Sequence, residues 1–353
     1  MFKGTMLAVL VILILSLSAC TINLGGGSVS ESMAGGVFRS DDFGRSWKQT
    51  ATVLSPADQP ISIADLDVVE LRSDPTDKQG LFFGSLSNGL YYSYNYGDSW
   101  QKAERLGNRP IASLAVDFQN RCTWYAVSGP SLWRSTDCGR FWDRVYADAR
   151  SDILMYSVVV DNYAPSTLYM SNAKGEILKS EDSGVNWRTV GRFERSVKSL
   201  VMSHFDSRIL FAQTDNKIFR TIDGGETWTD LKDKFKSFSL LNKISTITTS
   251  NRQQGLWIMA TSYGLLKTVN DGDDWTAIDL ITPEKKAQIN DVVISQQDVN
   301  KIYYVTDYVF YSTVDGGRTW QSLRLPTARR GWRLETDVTQ DGRIYLATRR
   351  WDK

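Results

Sequence analysis

A tryptophan returns along this chain at near-constant intervals. Ser40-Asp41-Asp42-Phe43-Gly44-Arg45-Ser46-Trp47 sets a frame, [ST]-x-[DN]-x-G-x-x-W, and the frame recurs six more times. The Asx and tryptophan of the copies are Asp42 and Trp47, Asn95 and Trp100, Asp137 and Trp142, Asp182 and Trp187, Asp223 and Trp228, Asn270 and Trp275, and Asp315 and Trp320. Successive tryptophans lie 53, 42, 45, 41, 47 and 45 residues apart. A period of roughly 40–50 residues among short apolar strands is that of a β-propeller blade. The expectation is an all-β fold, a single seven-bladed propeller of four-stranded antiparallel blades.

The frame makes sense as a turn. Ser or Thr ends a strand, the Asx side chain caps backbone N–H groups, Gly takes a positive φ, and Trp opens the next strand with its indole toward the core. The seven Asx residues are thus read as structural rather than catalytic or metal-binding. Upstream of each frame come two short apolar strands, such as Leu81-Phe82-Phe83 and Gly89-Leu90-Tyr91-Tyr92, and before them an Ile/Val-rich run suited to the innermost strand, such as 111–116 or 289–293. Only Gly36-Val37-Phe38-Arg39 precedes the first frame, and the missing strands are found at the other end, in 333–338 and 343–347. The first blade should therefore be closed by N-terminal strands c and d and C-terminal strands a and b, leaving no free sheet edge. A hairpin centred on residue 130 would place Cys122 opposite Cys138, which predicts a disulfide.

The first residues read as a processing signal. Lys3 is followed by an apolar run, Met6 to Leu17, and then by Leu17-Ser18-Ala19-Cys20. Those four residues resemble the bacterial lipobox, which implies cleavage after residue 19 and lipidation of Cys20; an uncleaved anchor helix is the alternative. Thr21 to Gly35, with Gly25-Gly26-Gly27, has the composition of a flexible tether. The expected organisation is a signal peptide over 1–19, a tether over 20–35 and a propeller over 36–353. The expected location is the extracytoplasmic side of a bacterial membrane, in the cell envelope.

The repeated frame resembles the Asp-box (BNR) motif of sialidases, the sortilin/Vps10 group, certain glucanases and the photosystem II assembly-factor group. The resemblance covers roughly residues 36–353 and implies an architecture rather than an activity. A sialidase would carry Arg-Ile-Pro, which is absent. The glucanases place their carboxylates between two tandem propellers, and this chain has length for one. A single histidine, His204, leaves little room for a catalytic triad or a His-rich metal site. No cofactor or metal is expected. Forty-one Lys+Arg against forty Asp+Glu disfavours nucleic acid as a partner.

The expected function is a non-enzymatic docking or assembly factor held at a membrane by its lipid anchor, and the propeller is expected to be monomeric; the alternative is a surface glycan-binding protein or glycoside hydrolase. Within the strand d and d–a segments, Lys+Arg number nineteen and Asp+Glu ten. That surplus predicts a basic face for an acidic protein, anionic glycan or lipid headgroup, densest at Arg324, Arg329, Arg330, Trp332 and Arg333.

Overall fold

A computed structural model describes residues 33–54, 61–238, 242–282 and 288–351. The signal peptide, Cys20 and most of the tether lie outside the described residues. The described chain is all-β apart from two short 3-10 turns. Its strands form seven four-stranded antiparallel sheets and one small two-stranded hairpin, Thr52–Val53 with Ile61–Ser62.

Each sheet is a blade with strands a to d in order from the axis. Blade 2 is typical, with Val68–Ser73, Leu81–Ser85, Leu90–Ser93 and Gln101–Lys102. Blades 3 to 7 begin at Ser113, Met155, Ser199, Ile244 and Ile289. Blade 1 is assembled from both ends of the chain. Its outer strands are Lys48–Gln49 and Val37–Ser40, and its inner ones are Ile344–Arg349 and Arg330–Thr336. Val37 pairs with Ala347 and Ser40 with Ile344, so the ring closes as the strand count requires.

The core is divided among the gaps between blades. Seven clusters of buried apolar side chains occur among the described residues, one at each junction of neighbouring blades. Tyr303, Val305 and Phe310 of blade 7, for example, pack against Phe38, Leu334, Ile344 and Leu346 of blade 1. Strand b supplies much of this, because it is covered on both faces and so reads as continuous apolar sequence: all five residues of Trp124–Ser128 are buried.

The Asp-box turn is the same in every blade. The Ser or Thr hydroxyl donates to the Asx Oδ1 and accepts from the box Gly N–H; in blade 4 the Ser180 Oγ to Asp182 Oδ1 distance is 2.8 Å and Gly184 N to Ser180 Oγ 2.9 Å. The N–H before the tryptophan also donates to the Asx oxygen, as from Asn186 at 2.8 Å. Not one but two successive residues are left-handed. The Gly positions have φ near +80 to +95, and the residues before them, Phe43, Tyr96, Cys138, Ser183, Gly224, Asp271 and Gly316, are also positive. The box tryptophans lie less deep than the sequence suggested. Trp100 and Trp275 are buried, while the other five are half-buried and lean on neighbouring elements. The indole N–H groups of Trp228 and Trp320 donate to carbonyls of the preceding blade, at Val190 and Asp279.

Cys122 and Cys138 form a disulfide. The register that suggested it is offset by one. Trp124 pairs with Ser135 and Ser128 with Ser131, so the hairpin turns on the Gly129–Pro130 pair. Continued straight, that ladder would bring Asp137 to Cys122. The left-handed turn at Cys138 carries the thiol back instead, with the Cys138 N–H donating to the Cys122 carbonyl at 3.1 Å.

Candidate functional site in the central channel

A second seven-fold device escapes a search keyed on tryptophan. Where strand a turns into strand b, Asp74, Asp117, Asp161, Ser203, Ser250, Ser295 and Asp337 each cap the turn through their own side chain. Asp161 Oδ1, for instance, accepts from Tyr163 N at 2.8 Å and Ala164 N at 3.1 Å. The other six do the same to the N–H groups two and three residues on. These capped turns form the rim of one face, which they share with the boxes.

Inside that rim lies a cavity of about 740 Å³ on the ring axis, lined by strands a and by the a–b turns. Its walls are unlike. The strands a of blades 3 to 6 present mainly apolar and hydroxylated residues, including Ala115, Val159, Val201 and Thr248, with Lys198 and Arg252 as the charges on that side. Blades 7, 1 and 2 present Asp291, Arg333, Glu335, Glu70 and Arg72. Part of this layer holds the ring together. Ser113 Oγ accepts from Val158 N, Ser157 Oγ from Leu200 N, and Asp291 Oδ2 from Leu334 N at 2.9 Å, each tying one blade to the next.

The remaining valences face the channel. Arg72 Nε donates to Glu70 Oε1 at 2.6 Å, and with Asp291 and Glu335 nearby its guanidinium is held more firmly charged than usual. Its side chain is 54% exposed although walls surround it, as expected of a group projecting into a solvent-filled bore. Burial pushes the Glu335 carboxyl up to about 7, against the attraction of Arg72 and the N–H groups it accepts from. Burial likewise raises Asp291, against Arg333 and the backbone of Leu334. At the mouth His204 is lowered by its enclosure and then by Arg72. The arrangement offers paired charges of both signs and one carboxyl that exchanges its proton near neutrality. The sequence carried a signal for it: charge at every second residue within an apolar strand, in Glu70-Leu-Arg72 and Arg333-Leu-Glu335.

The five residues expected to form a basic docking patch do not share a surface. Arg329 is turned inward with its side chain 4% exposed. Its Nε donates to the Met33 carbonyl at 2.7 Å, and it pairs with Asp65 and Asp67, so it holds the chain ends against the blade 1–2 connection. Arg330 pairs with Asp307 at 3.2 Å. Trp332 is the extra residue of a β-bulge in strand a, with the guanidinium groups of Arg330, Arg333 and Arg349 about its ring at 5.2, 4.9 and 4.9 Å. Arg333 lines the channel, and Arg324 is exposed on strand d. Elsewhere on that face the arginines are often matched, as Arg150 is by Asp148 and Glu176. Among the described residues no helix is long and apolar enough to cross a membrane.

Comparison with known proteins agrees with the fold. Residues 106–261 match the DUF6242 beta propeller domain, and residues 209–348 match the Photosynthesis system II assembly factor YCF48. The chain is 25% identical over 254 residues to the xyloglucanase Xgh74A of Acetivibrio thermocellus, covering 56% of this chain and 29% of that protein. It is 23% identical over 167 residues to sortilin of Rattus norvegicus, covering 44% and 18%. The chain thus spans less than a third of the length of these curated relatives. Among solved structures, the GH74 xyloglucanase of Xanthomonas campestris superposes with a TM-score of 0.65 at 14% identity, over 80% of this chain and 51% of that one. A structure of YCF48 bound to D1 peptide superposes with a TM-score of 0.61 at 14% identity, over 80% of this chain and 93% of that one. The chain is a BNR-type seven-bladed propeller similar to sortilin and YCF48, and its fold is shared by assembly factors and by glycoside hydrolases.

Proposed function

We propose that this propeller is a membrane-tethered docking factor that takes a polar segment of a partner protein into the a–b mouth of its central channel. The observation that carries the reading is the one-sided channel wall. Glu70, Arg72, Asp291, Arg333 and Glu335 are gathered on three adjacent blades, opposite a side that is mainly apolar and hydroxylated, with Lys198 and Arg252 as its charges. Such a wall grips an extended segment by its charges and leaves room for it on the other side. The likeness to solved structures supports it as well. The chain covers nearly the whole of a YCF48 structure that holds a peptide and only half of a GH74 one. Lipidation at Cys20 would place the site on the outer side of a bacterial membrane.

The test is recovery of partners from native membranes. Arg72→Ala with Arg333→Ala should cut recovery at least about thirtyfold, since losing a hydrogen-bonded charge pair to a ligand costs on the order of 2 kcal/mol or more. Recovery equal to wild type rejects the channel as the docking site. Mass spectrometry of the mature N-terminus should find a diacylglyceryl group on Cys20, and an unmodified thiol rejects the tether.

One observation favours a second reading, a glycoside hydrolase. Two carboxyls, Glu335 and Asp291, line the same cavity, and burial pushes Glu335 up to about 7, the property a general acid needs. Turnover of xyloglucan or a chromogenic glycoside that is lost in Glu335→Gln would establish it and displace the docking reading.

A further inference from the structure

The face opposite the channel mouth carries an exposed aromatic pair beside the point where the N-terminal segment leaves the ring. Tyr308 and Trp351 are 57% and 41% exposed, with ring centroids 5.1 Å apart. The Arg330 guanidinium lies 5.4 Å from the Trp351 ring. Met33 and Leu86 are exposed at 63% and 44%. These groups are contiguous. Asp67 accepts the Leu86 N–H on its carbonyl and the Arg350 Nε on its carboxylate, and also pairs with Arg329, which in turn holds the Met33 carbonyl. The Trp351 indole donates to Ala328 O.

We infer that this patch is a seat for a lipid bilayer with anionic headgroups. Exposed Trp and Tyr match the water–hydrocarbon boundary, where the rings sit at headgroup level, and Arg350, 58% exposed beside Asp67, is the guanidinium placed to meet phosphates. The chain outside the structure points to the same occupant. Twelve residues separate Cys20 from Met33, and a chain segment of that length reaches at most about 45 Å. A lipid on Cys20 would therefore hold Met33, and the patch around it, at the membrane. This placement rests on reading Cys20 as an anchor and complements the docking proposal, because it turns the a–b mouth away from the bilayer and toward a partner.

The test separates the surface from the anchor. All strands of the seven blades lie within Val37–Arg349, so a protein of residues 21–353 retains the whole ring and lacks the lipidated cysteine when Cys20 is omitted. It should co-sediment with vesicles of phosphatidylglycerol and phosphatidylcholine and not with phosphatidylcholine alone. Arg350→Ala should weaken binding about fivefold, as expected for one cation at an anionic surface. Tyr308→Ala with Trp351→Ala should weaken it at least as much, while Ile222→Ser on the box face should leave it unchanged. No binding to anionic vesicles by the wild-type ring overturns the inference. So does equal binding by all variants, or a patch variant that loses a soluble protein and not vesicles. Loss of partner recovery in the channel variants with vesicle binding intact leaves this inference standing, so the two readings can fail separately.

Discussion

At the scale of single residues, the box hydroxyl makes the same pair of hydrogen bonds in all seven turns. Ser180 is buried and serves two groups at once, as donor to Asp182 and acceptor for Gly184 N. Ser180→Ala leaves a buried N–H without its partner, a loss of about 1–3 kcal/mol. Urea unfolding should register it as a lower midpoint with an unchanged slope, and Ser180→Thr should recover it, since Thr fills the position in three other boxes. The Asx carboxylates add a pH dependence. Hydrogen bonds from Thr227 hold Asp223 at about 2, and so its contribution is present above its ordinary value and lost as pH falls through about 2. Asp223→Asn should be tolerated at neutral pH, as Asn95 and Asn270 are, and should flatten the loss of stability on acidification. What the sequence disclosed at this scale was the residue type at each position. It did not disclose direction: Arg329 and Arg330 look like free cations in Ala328-Arg329-Arg330-Gly331, and only the neighbouring Asp65, Asp67 and Asp307 show that they are engaged.

At the scale of the element, the periodic parts of a blade were legible and the curled parts were not. Strands a to c follow from apolar runs bounded by turn residues, and Ser113–Val116 and Ile289–Ile294 both fall within a residue or two of expectation. The box hid a second left-handed residue because its occupants vary, and that residue shifts Cys138 past the straight register. The two positions should respond differently to substitution. Gly317 has φ +95, and a Cβ there would meet Ile278 Cγ2 at 2.3 Å. Gly317→Ala should therefore destabilise by more than about 1 kcal/mol through strain and overlap. Gly316 has φ +76 with its nearest neighbour at 3.5 Å, and Gly316→Asn should be close to neutral because Asn accepts the left-handed region. Thermal melts of the two variants would distinguish a double left-handed turn from a single one. The a–b caps were equally readable in principle, as an Asp or Ser closing each strand a, yet they went unseen because no rare residue marks them.

At the scale of the whole molecule, closure makes both the stability and the site. The ionic wall is drawn from Glu70 and Arg72 near the start, Asp291 in blade 7, and Arg333 and Glu335 near the end, so it exists only when the last two strands complete blade 1. Deleting 330–353 removes strands a and b of that blade, bares the sheet edge of Val37–Ser40 and opens the core cluster shared with blade 7. The truncated chain should lose its single cooperative transition, with earlier melting by circular dichroism. Glu335 then provides a reporter of the closed ring. Burial among the assembled blades raises its value from 4.5 to about 7, so in this interval the folded protein holds a proton that the unfolded chain has released. Stability attributable to this carboxyl is therefore greatest below its ordinary value and declines as pH rises toward 7. Glu335→Gln, which cannot ionise, should abolish that decline, and its stability advantage over wild type should grow across the same interval. Urea unfolding at several pH values checks it: two parallel stability curves would mean that the carboxyl is solvated in the folded ring and that the channel wall is more open than the packing of blades 7, 1 and 2 requires.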